Sequence, residues 1–227
     1  MPERAIVFGA AGTIGSAICE QLEADSVTVV RATRSGVEVT GWVCTSHADW
    51  PDRLPQQGLS RAVWAQGANA EGSILDAGPD QLHELLEANV EYVVRTVRSL
   101  LDARALSTHA RLVIVSSVWQ KTARANKLAY ATSKAAVGGL VRSLAADLGP
   151  LGISVNAVLP GPVDGPMTRA FLSPERIERL ERSTPLQRLV SANEVARACA
   201  WLSSPDSRGV NAEFLTVDGG WSGVRDV

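Results

Sequence analysis

Cysteine and histidine are scarce in this chain, with three of each in 227 residues. Cys19, Cys44 and Cys199 have no metal-ligand spacing. An odd, sparse count argues against a disulfide framework and fits a reducing compartment, so a cytoplasmic location is expected. Small buried hydrophobes are the plainer reading of all three. His47, His83 and His109 have no cysteine or carboxylate grouping around them that resembles a metal site. Long apolar runs are missing too. Ala5 to Phe8, Val27 to Val30 and Leu112 to Val115 are far too short to cross a bilayer. The opening residues lead at once into a strand-like run and do not read as a signal peptide. Neither sign of charge is in excess, since 22 Lys and Arg against 24 Asp and Glu leave a formal net charge of -2. That balance gives no support for a nucleic-acid or membrane-surface partner. The length suits one α/β domain over residues 1–227.

The chemistry concentrates between Ser117 and Lys134. Ser117 follows the apolar run Leu112-Val113-Ile114-Val115, and Tyr130 and Lys134 stand four apart in a segment that reads as helix, about Ala129 to Leu148. At that spacing the two side chains share one helical face. A lysine beside a phenol favours the phenolate and lowers the tyrosine pKa. A tyrosine tuned this way can pass a proton to or from a substrate oxygen, and a serine can hydrogen-bond the same oxygen.

The strand-like run Ala5-Ile6-Val7-Phe8 enters Gly9-Ala10-Ala11-Gly12-Thr13-Ile14-Gly15, and an amphipathic helix follows. Strand, glycine turn and helix form a context in which backbone amides can hold a pyrophosphate. A tight turn is the plainer alternative. Val27 to Val30 is the second strand, followed by Arg31-Ala32-Thr33-Arg34-Ser35 with no carboxylate before Glu38. Arg34 and Ser35, with Arg31 nearby, suit the extra phosphate of NADP; a solvated basic loop is the alternative. Val37 to Cys44 reads as a third strand, Trp50 to Pro55 holds at most a short helix, and Ala62 to Ala65 is a fourth strand leading into Gln66 and Gly67.

From Pro79 to Leu101 apolar residues recur at helical spacing, with Asn89 the one polar residue on the stripe. A buried asparagine needs partners, which backbone or an ordered water near the reactive centre can supply. Leu112 to Ser116 is the fifth strand, Ile153 to Val158 the sixth and Phe214 to Val217 the seventh. The small residues Ala135, Ala136, Gly138 and Gly139 predict close packing of the catalytic helix on the sheet, a helix or another subunit. Residues 162–190 look like a lid. Alternation of strands with helices predicts a Rossmann-type, doubly wound, parallel seven-stranded sheet.

Together these motifs resemble the classical short-chain dehydrogenase/reductase family over nearly the whole chain. They are the early glycine turn, Asn89, Ser117 thirteen residues before Tyr130, Tyr130-x-x-x-Lys134, Pro160-Gly161 and Val217-Asp218-Gly219-Gly220. The resemblance implies that Tyr130 is the acid in carbonyl reduction and the base in alcohol oxidation. Lys134 would tune it and bind the nicotinamide ribose, Ser117 would orient the carbonyl, and Asn89 would hold a water linking Lys134 to solvent. Gly9, Gly12, Thr13, Ile14 and Gly15 would surround the pyrophosphate. Thr33, Arg34 and Ser35 would select NADP(H) over NAD(H). Gln66, Gly67, Pro160, Gly161, Val163 and Thr168 would complete the cofactor site.

Several positions depart from the family pattern. Phe8 replaces a threonine, and the middle glycine falls at Gly12 rather than position 13. Trp64-Ala65-Gln66-Gly67 replaces Asn-Asn-Ala-Gly, so Ala65 lacks the amide that usually meets the cofactor ribose. Gly165 stands where a threonine is typical, and the aspartate that commonly holds adenine is missing around Thr45. These changes are expected to weaken or reshape cofactor binding.

For the substrate, Ser117, Trp119, Gln120 and Tyr130 are the candidate contacts. Trp119 either walls an apolar substrate or packs under the lid. Lys121, Arg124 and Lys127 either attract an anion, such as a carrier-protein phosphopantetheine, or form a solvated face. The favoured reaction is reduction of a ketone to a secondary alcohol, with a 3-oxoacyl thioester among the candidates. The alternative is a non-catalytic binding or assembly partner on the same fold. The resemblance also implies a homo-oligomer, tetramer or dimer.

Overall fold

The computed structural model describes residues 3–33 and 58–224. The expected third strand at Val37 to Cys44, the segment Trp50 to Pro55, Cys44, His47, Thr45, Arg34 and Ser35 lie outside the described residues. The strands β1 (Arg4–Phe8), β2 (Thr28–Ala32), β3 (Leu59–Trp64), β4 (Leu106–Val115), β5 (Ser154–Pro160) and, last in the chain, β8 (Phe214–Val217) form one sheet. Its order is β2-β1-β3-β4-β5-β8, every pair parallel. Parallel strands need crossovers, and helices supply them on both faces. The flanking helices are α1 (Thr13–Ala24), α2 (Pro79–Leu86), α3 (Tyr92–Asp102), α4 (Leu128–Leu148) and α7 (Ala192–Leu202). The sequence patterning thus reads through to a Rossmann-like layered α/β fold.

Strand residues alternate between two cores. Ile6, Phe8, Ala62, Trp64, Leu112 and Ile114 face α3 and α4. Ala5, Val7, Val63, Val113 and Val115 face α1 and α7. Both sets are nearly fully buried, which is why the strands read as continuous apolar runs.

Three elements differ from expectation. The long helix from Pro79 is broken by a π-helical turn at Glu87–Glu91. The extra residue in that turn shifts the helical phase, so Val94, predicted on the apolar stripe, is exposed while Val93, Thr96 and Val97 are buried. β4 begins at Leu106, six residues before the apolar run. Within residues 162–190, β6 (Val163–Asp164) pairs with β7 (Val190–Ser191), and the short helices α5 (Pro166–Phe171) and α6 (Pro174–Arg182) lie between them.

Phe8 and Trp64, both departures from the family pattern, meet in the core. Their rings stack with centroids 5.1 Å apart and an interplanar angle of 16°. Tyr92 meets Phe8 edge-on at 6.1 Å, and Trp64 Nε1 donates to Thr96 Oγ1 at 2.8 Å. Two substitutions that look unrelated in sequence are therefore one packing unit. Trp64 is fully buried, so Trp64→Ala is expected to cost about 3–5 kcal/mol in urea denaturation. A loss under about 1 kcal/mol would show that the aromatic layer carries little of the fold's stability.

Candidate functional site

The carboxyl ends of β1, β2 and β3 open onto a cleft of about 890 Å³. Gly9, Gly12, Thr13 and Ile14 line it on one side, Thr33 at the end of β2, and Ala65, Gln66 and Gly67 after β3. Val163, Gly165 and Thr168 line it from the segment after β5, and Tyr92 and Arg95 from α3. This is the crevice at the strand ends where open α/β sheets bind ligands.

The glycine turn is built by close approach. Gly9 has φ +79°, and a side-chain carbon there would come within 2.5 Å of Gln66 N. A side-chain carbon on Gly15 would sit 2.1 Å from Gly9 O. Gly15 thus shapes the turn without lining the cleft. Gly12 is the N-cap of α1, and no side chain caps the helix. The first amides of α1 therefore face the cleft without an internal side-chain acceptor. Gln66 Oε1 is buried with no hydrogen-bond partner among the described residues. A cleft of this size with uncapped helix amides and an unsatisfied amide oxygen fits a dinucleotide.

None of Ser117, Tyr130, Lys134 and Asn89 lines this cleft, but Asn89 and Lys134 adjoin it through Gly67. A side-chain carbon on Gly67 would come within 2.8 Å of Asn89 Oδ1 and 3.4 Å of Lys134 Nζ. Asn89 is buried in the π-helical turn. Its Oδ1 accepts from Ala68 N at 2.9 Å, and its Nδ2 donates to Ala68 O at 3.0 Å and to Ser133 Oγ at 2.9 Å. Ser133 Oγ donates onward to the Tyr130 carbonyl at 2.9 Å. These bonds clamp the backbone at Ala68 to the π-helical turn and to Ser133.

Ser117 is buried just past the end of β4, its Oγ accepts from Trp119 N at 3.3 Å, and it lies near the Tyr130 hydroxyl. Burial holds the Tyr130 phenol above its ordinary value, and the nearby Ser117 side chain opposes it. The expected lowering by Lys134 does not lead here. Its Nζ is 5.8 Å from the Tyr130 ring centroid, and its one hydrogen bond is a long one to Val115 O at 3.4 Å. Burial without a carboxylate depresses the Lys134 ammonium to about 8.

The substrate candidates separate. Trp119 is half-buried, meets Trp221 edge-on at 5.4 Å and lies under the Arg124 guanidinium at 5.9 Å. Gln120 turns away: its amide lies against Gly138, where a side-chain carbon would come within 3.0 Å of Nε2. That contact uses the small face of α4 at Gly138, whereas Gly139 faces open space. Pro160 and Gly161 lie outside the cleft lining; Pro160 pairs with Val217, and Gly161 leaves room for Asp218. Lys121, Arg124 and Lys127 are not one basic face. Lys127 is buried, and Arg124 pairs with Glu71 at 2.8 Å. Arg31 is held by Glu23 at 2.8 Å. Tyr92 and Ser133 were not read as site residues; no spacing rule reveals Tyr92, because the π-helical turn sets its phase.

A family model described as Enoyl-(Acyl carrier protein) reductase matches residues 57–222. The uncharacterized oxidoreductase YmfI of Bacillus subtilis (strain 168) is 28% identical over 241 residues, covering 97% of this chain and 99% of that protein. The 3-oxoacyl-[acyl-carrier-protein] reductase FabG of Escherichia coli (strain K12) is 30% identical over 154 residues, 68% of this chain and 63% of that protein. A solved short chain dehydrogenase family protein from Francisella tularensis superposes with a TM-score of 0.85 at 24% identity, over 98% of this chain and 99% of that one. The chain belongs to the short-chain dehydrogenase/reductase family, whose members carry out NAD(P)-dependent oxidoreduction. Among the described residues no helix is long and apolar enough to cross a membrane.

Lys134 yields a pH-dependent prediction. Its folded pKa of about 8 lies below the ordinary 10.5, so burial destabilises the fold fully below about pH 8. The penalty is relieved as pH rises toward 10.5. A depression of that size corresponds to about 3 kcal/mol. Lys134→Met is therefore expected to be more stable than wild type near pH 7, by up to that amount, with the gain fading above about pH 8. Urea denaturation at about pH 7 and about pH 10 checks this; a variant no more stable at the lower pH would refute the burial penalty.

Proposed function

We propose that this chain is an NADP(H)-preferring reductase that converts a ketone to a secondary alcohol, acting as one domain over residues 1–227. The observation that carries the reading is a glycine-floored cleft whose Gly67 abuts Asn89 and Lys134, with Tyr130 beside Lys134 and Ser117 near the Tyr130 hydroxyl. A bound nicotinamide supplies the hydride for the carbonyl carbon. Ser117 and Tyr130 hold the carbonyl oxygen from one side, and Tyr130 delivers its proton to that oxygen as the charge develops. Lys134 replaces the proton's charge on the phenolate side and binds the ribose; Asn89 fixes the helix that carries both. In the oxidation direction Tyr130 takes the proton back.

Gly9, Gly12, Thr13 and Ile14 hold the pyrophosphate. Gln66 offers the ribose the amide that Ala65 lacks, one residue further along the chain. Thr33 leaves no carboxylate at the end of β2, and Arg31 is committed to Glu23, so selection of the phosphate rests on Arg34 and Ser35. Val163 and Thr168 face the nicotinamide end. Trp119 forms an apolar wall for the substrate. The acyl-carrier-protein descriptions of the family model and of FabG support a 3-oxoacyl thioester as the first candidate. A cytoplasmic homo-oligomer is the setting we expect.

Calorimetric titration with NADPH and NADH is the direct test. NADPH should bind at least about tenfold more tightly, a difference near 1.4 kcal/mol, and lose that advantage on Arg34→Ala. Equal or tighter NADH binding would overturn the NADP assignment. In a carbonyl panel that includes acyl thioesters, Tyr130→Phe should lower kcat by about 10²–10⁴ with nicotinamide affinity retained. An unchanged kcat would remove Tyr130 from proton transfer, and binding of neither cofactor would favour a non-catalytic partner protein.

A further inference from the structure

One buried charge beside Tyr130 has no part in the reading above. Lys127 immediately precedes α4 and is 6% exposed. Its Nζ donates to Asn69 Oδ1 at 2.7 Å and to Ala70 O at 3.1 Å, and Glu71 Oε1 lies at 3.7 Å. Two of the ammonium's three donors are thus used by the 69–71 loop, with Glu71 as a nearby ion partner. The backbone closes the same seam: Gly72 N donates to Asn126 O and Leu128 N to Gly72 O, each at 3.2 Å. The loop after β3 is thereby stitched to the start of the catalytic helix.

The ammonium also reaches Tyr130. It stands 5.4 Å from the ring centroid, nearer than Lys134 at 5.8 Å. Tyr130 thus has one lysine a helical turn before it and one a turn after. A cation at this range over an aromatic face is attracted to the ring, and more strongly once the phenol ionises. We propose that Lys127 is a positioning residue for Tyr130, held by the 69–71 loop so that its ammonium fixes the phenol ring and favours the phenolate.

The charged groups around the pair are few. Lys127 and Lys134 face Tyr130. Glu71, Arg124 and, from α6, Arg176 face Lys127. Glu71 is the one acid among them and offsets the Lys127 charge. Burial lowers the Lys127 pKa and Glu71 opposes that. The consequence for turnover rests on the proposed proton transfer, but the electrostatic contact itself can be tested without cofactor or substrate.

The chain has two tyrosines, Tyr92 and Tyr130. Labelling the ring carbons of tyrosine gives separate NMR signals for each, assigned with Tyr92→Phe, and their titration with pH reads each phenol directly. Lys127→Met should raise the Tyr130 midpoint by about half a pH unit or more, and Lys127→Arg should hold it near wild type. Glu71→Gln, which removes the offsetting acid, should lower it by a similar amount. Midpoints unchanged in both Lys127→Met and Glu71→Gln, with folded spectra, would overturn the proposal. If Lys127→Met does not fold, Glu71→Gln alone decides. In turnover, Lys127→Met should lower kcat and move its pH limb with the NMR midpoint, leaving nicotinamide Kd unchanged. An NMR midpoint that moves while the kcat limb stays would uphold the Lys127 contact and overturn the proton-transfer reading instead.

Discussion

A single buried amide links the segments that make the site. Asn89 bonds both backbone groups of Ala68 and the hydroxyl of Ser133. It therefore joins the loop after β3, the π-helical turn and the catalytic helix. A buried amide left unpaired would cost more than each of these bonds contributes alone, so the three segments hold one another in register. The π-helical turn accompanies this geometry, and the phase shift it introduces sends Tyr92 toward the cleft. Gly67 then has to be small, because Asn89 and Lys134 fill the space its side chain would need.

The site is costly to maintain. Lys134 is buried without a carboxylate partner among the described residues, and the partly buried Tyr130 phenol stands beside it. Both burials favour neutral groups, poised to exchange protons rather than to pair as ions. Lys127 is buried too, but its neighbourhood supplies acceptors and an acid. The two lysines flanking Tyr130 therefore differ in kind: one is anchored by acceptors and an acid, and burial depresses the other to about 8.

The departures from the family pattern are not scattered. Phe8 and Trp64 exchange polar positions for a stacked pair and recruit Tyr92 and Thr96 around it. Thr13 and Gly165 also meet, since a side-chain carbon on Gly165 would contact Thr13 Cγ2 at 3.2 Å. The bulk at position 13 is matched by its absence at position 165 across the cleft. Compensation of this kind keeps a cleft open while its lining changes.

Local pattern was enough for the layered α/β fold and the glycine turn, and it singled out Ser117, Tyr130 and Lys134 as candidates. Most of these depend on periodicity or on spacing within one element, and helical geometry makes the four-residue separation of Tyr130 and Lys134 a shared face. The partner of Asn89, the burial of Lys127 and the turning of Gln120 onto Gly138 were not legible. Each joins segments far apart in the chain, and the competing alternatives have the same local sequence. Sequence by itself determined which elements form and which residues could carry chemistry. Tertiary structure decided which of those residues meet, because burial and hydrogen-bond closure across β3, the π-helical turn and α4 arise only once the layers have packed.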